Sequence, residues 1–218
     1  MSELFEAITA GDTARALALA DADPSVLRNT EKDVTPILLA VYHGKGDLAR
    51  QLAERAGEIT FGEACAIGDT ARVKAMLAAD PSLLNARTAD GYPAAALPIF
   101  FRHPELARWL IEQGADVNAV AQNAQRVSFV HAAAAACDRE TMRMLLERGA
   151  DPNAKQQLDY TPMHTAASRG DVEMAKLLLA HGADPAARGT DGQSPAEVAR
   201  THDQPAFAEW ICGVGGSP

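Results

Sequence analysis

The chain has 218 residues, of which 47% are apolar, and it carries a formal net charge of −9 at pH 7. This apolar content is enough for a continuous core, yet no apolar run approaches the roughly 18 residues that a membrane helix needs, so we expect a soluble protein with no membrane partner. Lys and Arg number 20 against 29 Asp and Glu. The acidity disfavours nucleic acid as a partner, because phosphate neutralisation needs a basic face.

The cysteines and the N-terminal segment bear on the compartment. Cys65, Cys137 and Cys212 are odd in number and form no C-x-x-C pair, which argues against a disulfide framework and favours reduced, partly buried thiols. Residues 1–6 have no basic region followed by an apolar stretch, so the start of the chain does not resemble a signal peptide. We therefore expect a cytoplasmic protein.

The first part of the chain contains a loosely repeated pattern. The segment at 10–15 nearly returns at 67–72 and the segment at 22–25 returns at 79–82, both after a shift of 57 residues, which corresponds to about two shortened repeats. Between them, Thr35-Pro36 begins an apolar segment that we interpret as a degenerate repeat. The residues Gly-Glu-Ile-Thr at 57–60 replace the connection found elsewhere, and a seam between domains would fall there.

The next unit, which begins near Gly91-Tyr92-Pro93, departs from the pattern of its neighbours. Pro98 is predicted to kink or shorten the first helix, because it removes a hydrogen bond and clashes with the preceding turn. Phe101 stands where later units have a turn glycine, and the segment is one residue longer. We expect a distorted unit in which Phe100 and Phe101 either fill the resulting gap or lie on the surface.

The clearest repetition joins 130–154 to 163–187, which align after a shift of 33 residues. Both segments contain a histidine, small residues, a turn and an apolar helix, and both reach the triplet G-A-D. A fixed period of this length is the signature of a solenoid. The last unit lacks the triplet, so we expect it to be a closing cap with a flexible tail at 213–218. The triplets lie at 114–116, 149–151 and 182–184.

The segment from Thr161-Pro162-Met163-His164 through Gly182-Ala183-Asp184 resembles the ankyrin repeat, whose pattern runs T-P-L-H-x-A-A, a turn, an apolar helix with L-L, and G-A-D. The resemblance is clearest over 90–200 and degenerate over 1–89. It implies an all-α ankyrin-repeat solenoid of about seven helix-turn-helix units with short β-hairpin-like loops, which we expect to form one domain over 1–218. The units are predicted at roughly 3–30, 35–57, 61–86, 91–120, 124–154, 159–187 and 191–214.

Two histidines have a structural explanation. His131 and His164 occupy equivalent positions one repeat apart, where each ring can hydrogen-bond backbone groups and tie one loop to the next. Stacked helices lie about 10 Å apart, so the two rings cannot share a metal ion. We expect no metal site. The remaining histidines, His43, His103, His181 and His202, are predicted at turns as ordinary surface residues.

Sequence motifs for catalysis are absent: there is no G-x-S-x-G, no phosphate loop, no H-E-x-x-H and no G-x-G-x-x-G before a helix. Cys137 replaces the turn glycine seen at Gly170 and is the best candidate for a reactive thiol, although a nucleophile would need a histidine base brought to it by the fold. We expect neither catalysis nor a cofactor.

The resemblance implies where recognition takes place. In similar proteins, the loop tips and the exposed face of each first helix line a concave surface that binds other proteins. We therefore expect a monomeric protein-binding module, acting as an adaptor, scaffold, inhibitor or regulator on a protein partner of unknown identity. Aromatic residues and arginine most often anchor interfaces. The candidate partner-binding residues are Tyr92, Phe100, Phe101, Arg102, Arg126, Gln157, Tyr160, Ser168, Arg169 and Arg188.

Two other hypotheses are compatible with the sequence. One is a small-molecule binder or enzyme with a pocket at the distorted fourth repeat, built around Tyr92, Pro98, Phe101, His103 and Cys137. A deep enclosed pocket with converging polar groups would favour it, because recognition grooves are shallow. The other is self-assembly through an apolar end or stripe, which the size of the protein in solution would reveal.

Overall fold

In the computed structural model, which describes residues 2–215, the chain forms fourteen α-helices arranged as seven consecutive pairs. Short 3-10 helices and isolated β-bridges lie in the connections between pairs. None of the described helices is long and apolar enough to cross a membrane. The helices are α1 (Glu3–Ala10), α2 (Thr13–Ala22), α3 (Pro36–Tyr42), α4 (Gly46–Ala56), α5 (Phe61–Ile67), α6 (Thr70–Ala79), α7 (Leu97–Phe100), α8 (Pro104–Glu112), α9 (Phe129–Ala136), α10 (Arg139–Glu147), α11 (Pro162–Arg169), α12 (Val172–Ala180), α13 (Pro195–Thr201) and α14 (Pro205–Gly215).

Most of the first helices begin at a capping serine or threonine, the exceptions being α1 and α7. Before α5, Thr60 and Glu63 form a capping box, in which each side chain satisfies a backbone N–H of the other residue. Before α11, His164 takes the place of the box glutamate and accepts from the N–H of Thr161. Pro162 occupies the first position of that helix, where a missing N–H removes no bond. Local sequence therefore fixes where these helices start.

Packing is sequential along the chain. Each first helix contacts the first helix of the next pair, from α1 with α3 through to α11 with α13, while second helices such as α8, α10 and α12 contact one another in an outer layer. Ala132, Ala133, Ala166 and Ala167 are fully buried, because small side chains let the first helices approach closely. A cluster of buried apolar residues extends from Leu4 to Ile211. Such a stack gains stability unit by unit.

A left-handed residue separates the helices of every pair. It lies two positions before the second helix in each case, and its φ is between 56° and 77°. Glycine adopts this conformation without steric penalty, whereas other residues are strained there. Three of the seven pairs carry another residue at this turn. The seven residues are Gly11, Gly44, Gly68, Arg102, Cys137, Gly170 and Asp203.

The fourth pair is distorted as predicted. Residues Ala94–Ala96 form a 3-10 turn, and α7 has only four residues, with Pro98 near its start. The prediction that Phe101 takes the place of the turn glycine is wrong. Phe101 has φ −98°, and Arg102 has the left-handed conformation with φ 62°. The extra residue of this segment shifts the turn by one position.

The connections between pairs differ in length. Two residues separate Gly57 from Thr60, whereas eleven separate Gly149 from Thr161. The second and third pairs are therefore joined without a hairpin-like loop. At the other end of the chain, α14 continues to Gly215, so the tail predicted from residue 213 begins inside a helix. The rest of that predicted tail, 216–218, lies outside the described residues.

Candidate functional site

The loops of the fifth and sixth pairs are held by histidines. The backbone N–H of Ser128 points at Nδ1 of His131 from 3.4 Å, so this nitrogen is the acceptor and Nε2 carries the proton. Nε2 then donates to the carbonyl oxygen of Tyr160, 3.2 Å away in the next loop. His164 makes the equivalent two bonds one unit later. The prediction that these rings tie one loop to the next is confirmed.

Both rings are neutral at pH 7. Burial lowers the pKa of His131 to about 4, an effect that its hydrogen bond to Tyr160 opposes in part. Burial also lowers the pKa of His164. Protonation of Nδ1 would remove the acceptor for the capping N–H, so the neutral ring is required by the geometry as well. These histidines are scaffold residues.

Backbone hydrogen bonds join successive loop tips into what we name the loop stack, formed by residues 87–93, 120–128, 154–160 and 187–193. Gln122 N–H donates to Gly91 O over 2.9 Å, and Gln157 N–H donates to Gln125 O over 2.9 Å. One loop later, the N–H of residue 190 donates to the carbonyl of residue 158 over 2.8 Å. The loop tips are therefore positioned by their neighbours.

Asparagine side chains fix the other end of these connections. Asn118 Nδ2 donates to Gly149 O over 3.0 Å, and its Oδ1 accepts from Asp151 N–H over 2.9 Å. Asn153 repeats both bonds with the next G-A-D turn, at residues 182–184. Sequence reasoning missed these asparagines, although their identical offset after the first two G-A-D triplets was a visible signal.

Three exposed residues lie together at the tips of the fifth and sixth loops. Arg126 has 56% of its side chain exposed and lies 3.7 Å from an oxygen of Asp159, an ion pair that contributes little in solvent. Gln157 is exposed, and its backbone is fixed in the loop stack. Leu158 is 50% exposed and has φ 62°. An exposed leucine in a strained conformation therefore lies beside an exposed arginine, a residue type that is enriched at interfaces.

Tyr160 contributes to the scaffold as well as to this surface. Its ring stacks on His164 with centroids 4.6 Å apart, and its hydroxyl donates to Asp191 Oδ2 over 2.8 Å. Burial and the neighbouring Asp191 carboxylate raise the pKa of Tyr160 to about 12. Replacing this residue would disturb the loop as well as any bound partner.

The remaining candidates at this end differ in how far their side chains are engaged in contacts within the chain. Ser168 is half-buried and donates to Thr165 O within its own helix. Arg169 is exposed in the last turn of α11. Arg188 is exposed but forms an ion pair with Glu197 at 3.1 Å. Of these three, Arg169 is the side chain best placed to meet a partner.

The aromatic candidates of the fourth pair join a residue that sequence reasoning missed. Tyr92, Phe100 and Phe101 form an aromatic cluster with Tyr42, in which Tyr42 stacks on Phe101 at 5.8 Å and contacts Tyr92 edge-on at 6.3 Å. All four are half-buried and pack against the core. Tyr92 also donates to the side chain of Gln125. The phenylalanines thus fill the distorted unit and leave only part of their surface for a partner.

Asp90 connects this cluster to its loop. The hydroxyl of Tyr42 donates to Asp90 Oδ2 over 2.8 Å, and burial, followed by this bond, raises the pKa of Tyr42 above its usual range. This Tyr42–Asp90 bond repeats the Tyr160–Asp191 bond. The Asp-Gly dipeptides shared by 90–91 and 191–192 were the sequence signal that could have revealed it. Asp90 Oδ1 is buried without a hydrogen-bond partner. The nearby backbone N–H of Tyr92 does not bond to this oxygen, because it donates to Thr88 Oγ1 over 3.0 Å.

The residues predicted to build a pocket at the fourth repeat have separate roles. Pro98 is buried within α7 and Cys137 is an exposed turn residue. The prediction of His103 as an ordinary surface residue is wrong: it is half-buried, and Nε2 donates to Ala66 O over 3.2 Å. Burial lowers its pKa. Arg102 is exposed and lines an open cavity of about 390 Å³ on another part of this pair.

No group of three or more His, Cys, Asp or Glu side chains in 2–215 is arranged to hold a metal ion.

Seven helix pairs with a recurring left-handed turn and a hydrogen-bonded loop stack define a helical repeat solenoid. Family models confirm this class and specify it: "Ankyrin repeats (3 copies)" matches residues 61–156, and "Ankyrin repeats (many copies)" matches residues 145–199. The chain belongs to the ankyrin repeat family. Comparison with curated proteins found no match. Ankyrin repeats are generally protein–protein interaction modules.

Proposed function

We propose that the chain is a single, non-catalytic ankyrin-repeat domain that works in the cytoplasm as a monomer and binds a partner protein. The partner is held on the recognition face, which we define as the ten candidate residues of the loop tips and first-helix ends together with Leu158. In this role the protein acts as an adaptor, scaffold, inhibitor or regulator. Typical ankyrin repeats are non-catalytic, which supports the absence of an enzyme activity.

The observation that carries this proposal is the exposure of Arg126, Gln157 and Leu158 on loop tips whose backbones are already fixed. Gln157 N–H donates to Gln125 O, and Leu158 O accepts from Thr190 N–H, so the loop is bonded on both sides. A surface that is ordered before binding loses less conformational entropy when a partner docks. Rigid loops with exposed arginine and leucine therefore favour recognition over a purely structural role.

The test compares three proteins in affinity capture from the cytosol of the source cell. The first is the wild type and the second carries Arg126→Glu and Arg169→Glu, which reverse two exposed charges on the recognition face. The third is a matched control with Arg143→Glu and Lys176→Glu, which reverse two exposed charges on the second helices of the same pairs. Tyr160 is left intact because its ring supports His164.

We expect the wild type and the control to retain the same one or few proteins, and the Arg126/Arg169 variant to lose them while its circular dichroism is unchanged. Retention of the same proteins by all three would show that the recognition face lies elsewhere. Sedimentation of the purified chain tests the monomer separately, since self-assembly through an apolar end would double the mass.

A further inference from the structure

The stacking of connections is interrupted before the first loop of the loop stack, at the short connection between the second and third pairs. The two residues between Gly57 and Thr60 cannot form the hairpin-like loop that eleven residues form between Gly149 and Thr161. On one side of the interruption, Glu31 and Val34 pair through two backbone hydrogen bonds and enclose a tight turn at residues 32–33. On the other side stands the loop at 87–93. We name the space between this turn and this loop the slot.

Two adjoining cavities occupy the slot. The inner cavity has a volume of about 210 Å³, and its floor includes Phe61 and Gly62 at the start of α5. The outer cavity has a volume of about 570 Å³ and lies between the turn at 32–33 and the loops at 87–93 and 122–125. A Cβ on Gly62 would lie 2.6 Å from Cγ2 of Thr88, so glycine at this position allows the loop at 87–93 to pack closely against α5. The slot is thus built by a short connection and a close backbone approach.

The wall formed by the loop at 87–93 has an unused backbone donor. Ala89 lies three residues before Tyr92, the position that Gln157 holds before Tyr160 and Thr190 holds before Gln193. Gln157 and Thr190 donate their N–H groups to the preceding loop. The N–H of Ala89 has no acceptor within residues 2–215, because the preceding loop is missing there.

The opposite wall offers the complementary acceptor. Lys32 lies three residues before the capping residue Thr35, as Leu158 lies three residues before Thr161. Leu158 shares a positive φ with Lys32, and its carbonyl accepts from the following loop. The carbonyl of Lys32 receives no such bond from the described chain. The two walls therefore present a donor and an acceptor at the register positions that pair with a neighbouring loop elsewhere in the stack.

We propose that the slot binds an extended segment of the partner protein, which takes the place of the absent loop. A carbonyl of this segment accepts from Ala89 N–H, and an N–H of the segment donates to Lys32 O, as strands do when they add to a free edge. This inference rests on the proposed function, because it names how part of the partner is held.

The first test uses a displayed library of random linear peptides as the probe. Peptides are selected on the wild type and depleted on a filled variant, in which a copy of residues 150–160 replaces Glu58 and Ile59 and closes the slot. We expect selection to enrich peptides that bind the wild type and not the filled variant. Failure to enrich any peptide, or enrichment only of peptides that bind both proteins, would overturn the proposal.

The second test uses two substitutions at one exposed residue and does not depend on the folding of the filled variant. Ala89→Pro removes the N–H, whereas Ala89→Ser keeps it. For the selected peptides, we expect Ala89→Ser to bind as the wild type does and Ala89→Pro to bind about tenfold more weakly, the effect of losing one hydrogen bond worth about 1.4 kcal/mol. Equal affinity of both variants, with unchanged circular dichroism, would contradict the backbone pairing.

A further pair of measurements separates this inference from the proposed function. The Arg126→Glu, Arg169→Glu variant should bind the selected peptides as the wild type does, since neither residue lines the slot. If no peptide binds the slot while affinity capture still depends on Arg126 and Arg169, the slot assignment is wrong and the proposed function still holds. Should the wild type sediment as a dimer and the filled variant as a monomer, the occupant would be a second copy of this chain and the partner segment would be excluded.

Discussion

Acidification should weaken the fold through His131 in particular. The unfolded ring binds a proton near pH 6.5, whereas burial holds the native pKa at about 4. Because the unfolded state then binds more protons, the free energy of unfolding falls as the pH drops through this window, and the contribution is complete only above about pH 6.5. At pH 4 the loss from this one ring is about 3 kcal/mol, at 1.36 kcal/mol per pKa unit.

The contribution is isolated by comparison with His131→Gln, whose side chain does not titrate. Urea unfolding of both proteins is measured from pH 7 to pH 4, together with His43→Gln, which removes an exposed histidine. We expect the wild type to lose about 3 kcal/mol relative to His131→Gln across this range. His43→Gln should follow the wild type. A stability difference between wild type and His131→Gln that does not change with pH would refute the assignment of His131 as a buried, neutral ring that joins two loops.

Three further predictions follow from the turns and the thiols. Cys137→Gly should raise the free energy of unfolding by about 1 kcal/mol in urea, because it relieves a left-handed residue with φ 57°. Gly68→Ala should lower the free energy of unfolding by about 2 to 3 kcal/mol, since the new Cβ would lie 2.4 Å from His103 Nδ1. Gly44→Ala at the equivalent turn has open space and should lower it by only about 1 kcal/mol. Equal losses for the two variants would refute the contact with His103. A maleimide should label exposed Cys137 in the native protein but not Cys65, whose pKa burial raises above its usual range, and mass spectrometry of native and unfolded samples distinguishes the two.

The clearest repeats could be predicted because local chemistry and tertiary contacts agree there. Thr161, Pro162 and His164 each act where the pattern places them, and His131 repeats the arrangement one unit earlier. The strain at Cys137 was visible as the loss of a turn glycine. At these positions local propensity and tertiary contacts favour the same conformation, so the sequence pattern predicts it.

The fourth repeat resisted the same reasoning. One extra residue allowed two alignments of the turn, and only the backbone distinguishes Phe101 from Arg102 as the left-handed residue. The contact of Tyr42 with Phe101 joins residues from the second and fourth pairs, so no single repeat reveals it. His103 was misassigned because its partner is a backbone carbonyl of the preceding pair. Contacts that occur between repeats only once, rather than recurring along the chain, are not revealed by the repeat pattern.

Partner binding through the loop tips is the central claim, and amide hydrogen exchange measures it most directly. Exchange of the chain is compared with and without the protein recovered by affinity capture. Slower exchange in peptides that cover 124–127, 156–159 and 188–191, with unchanged exchange in α10 and α12, is the predicted result. Protection confined to the second helices, with the loop tips unaffected, would contradict the account.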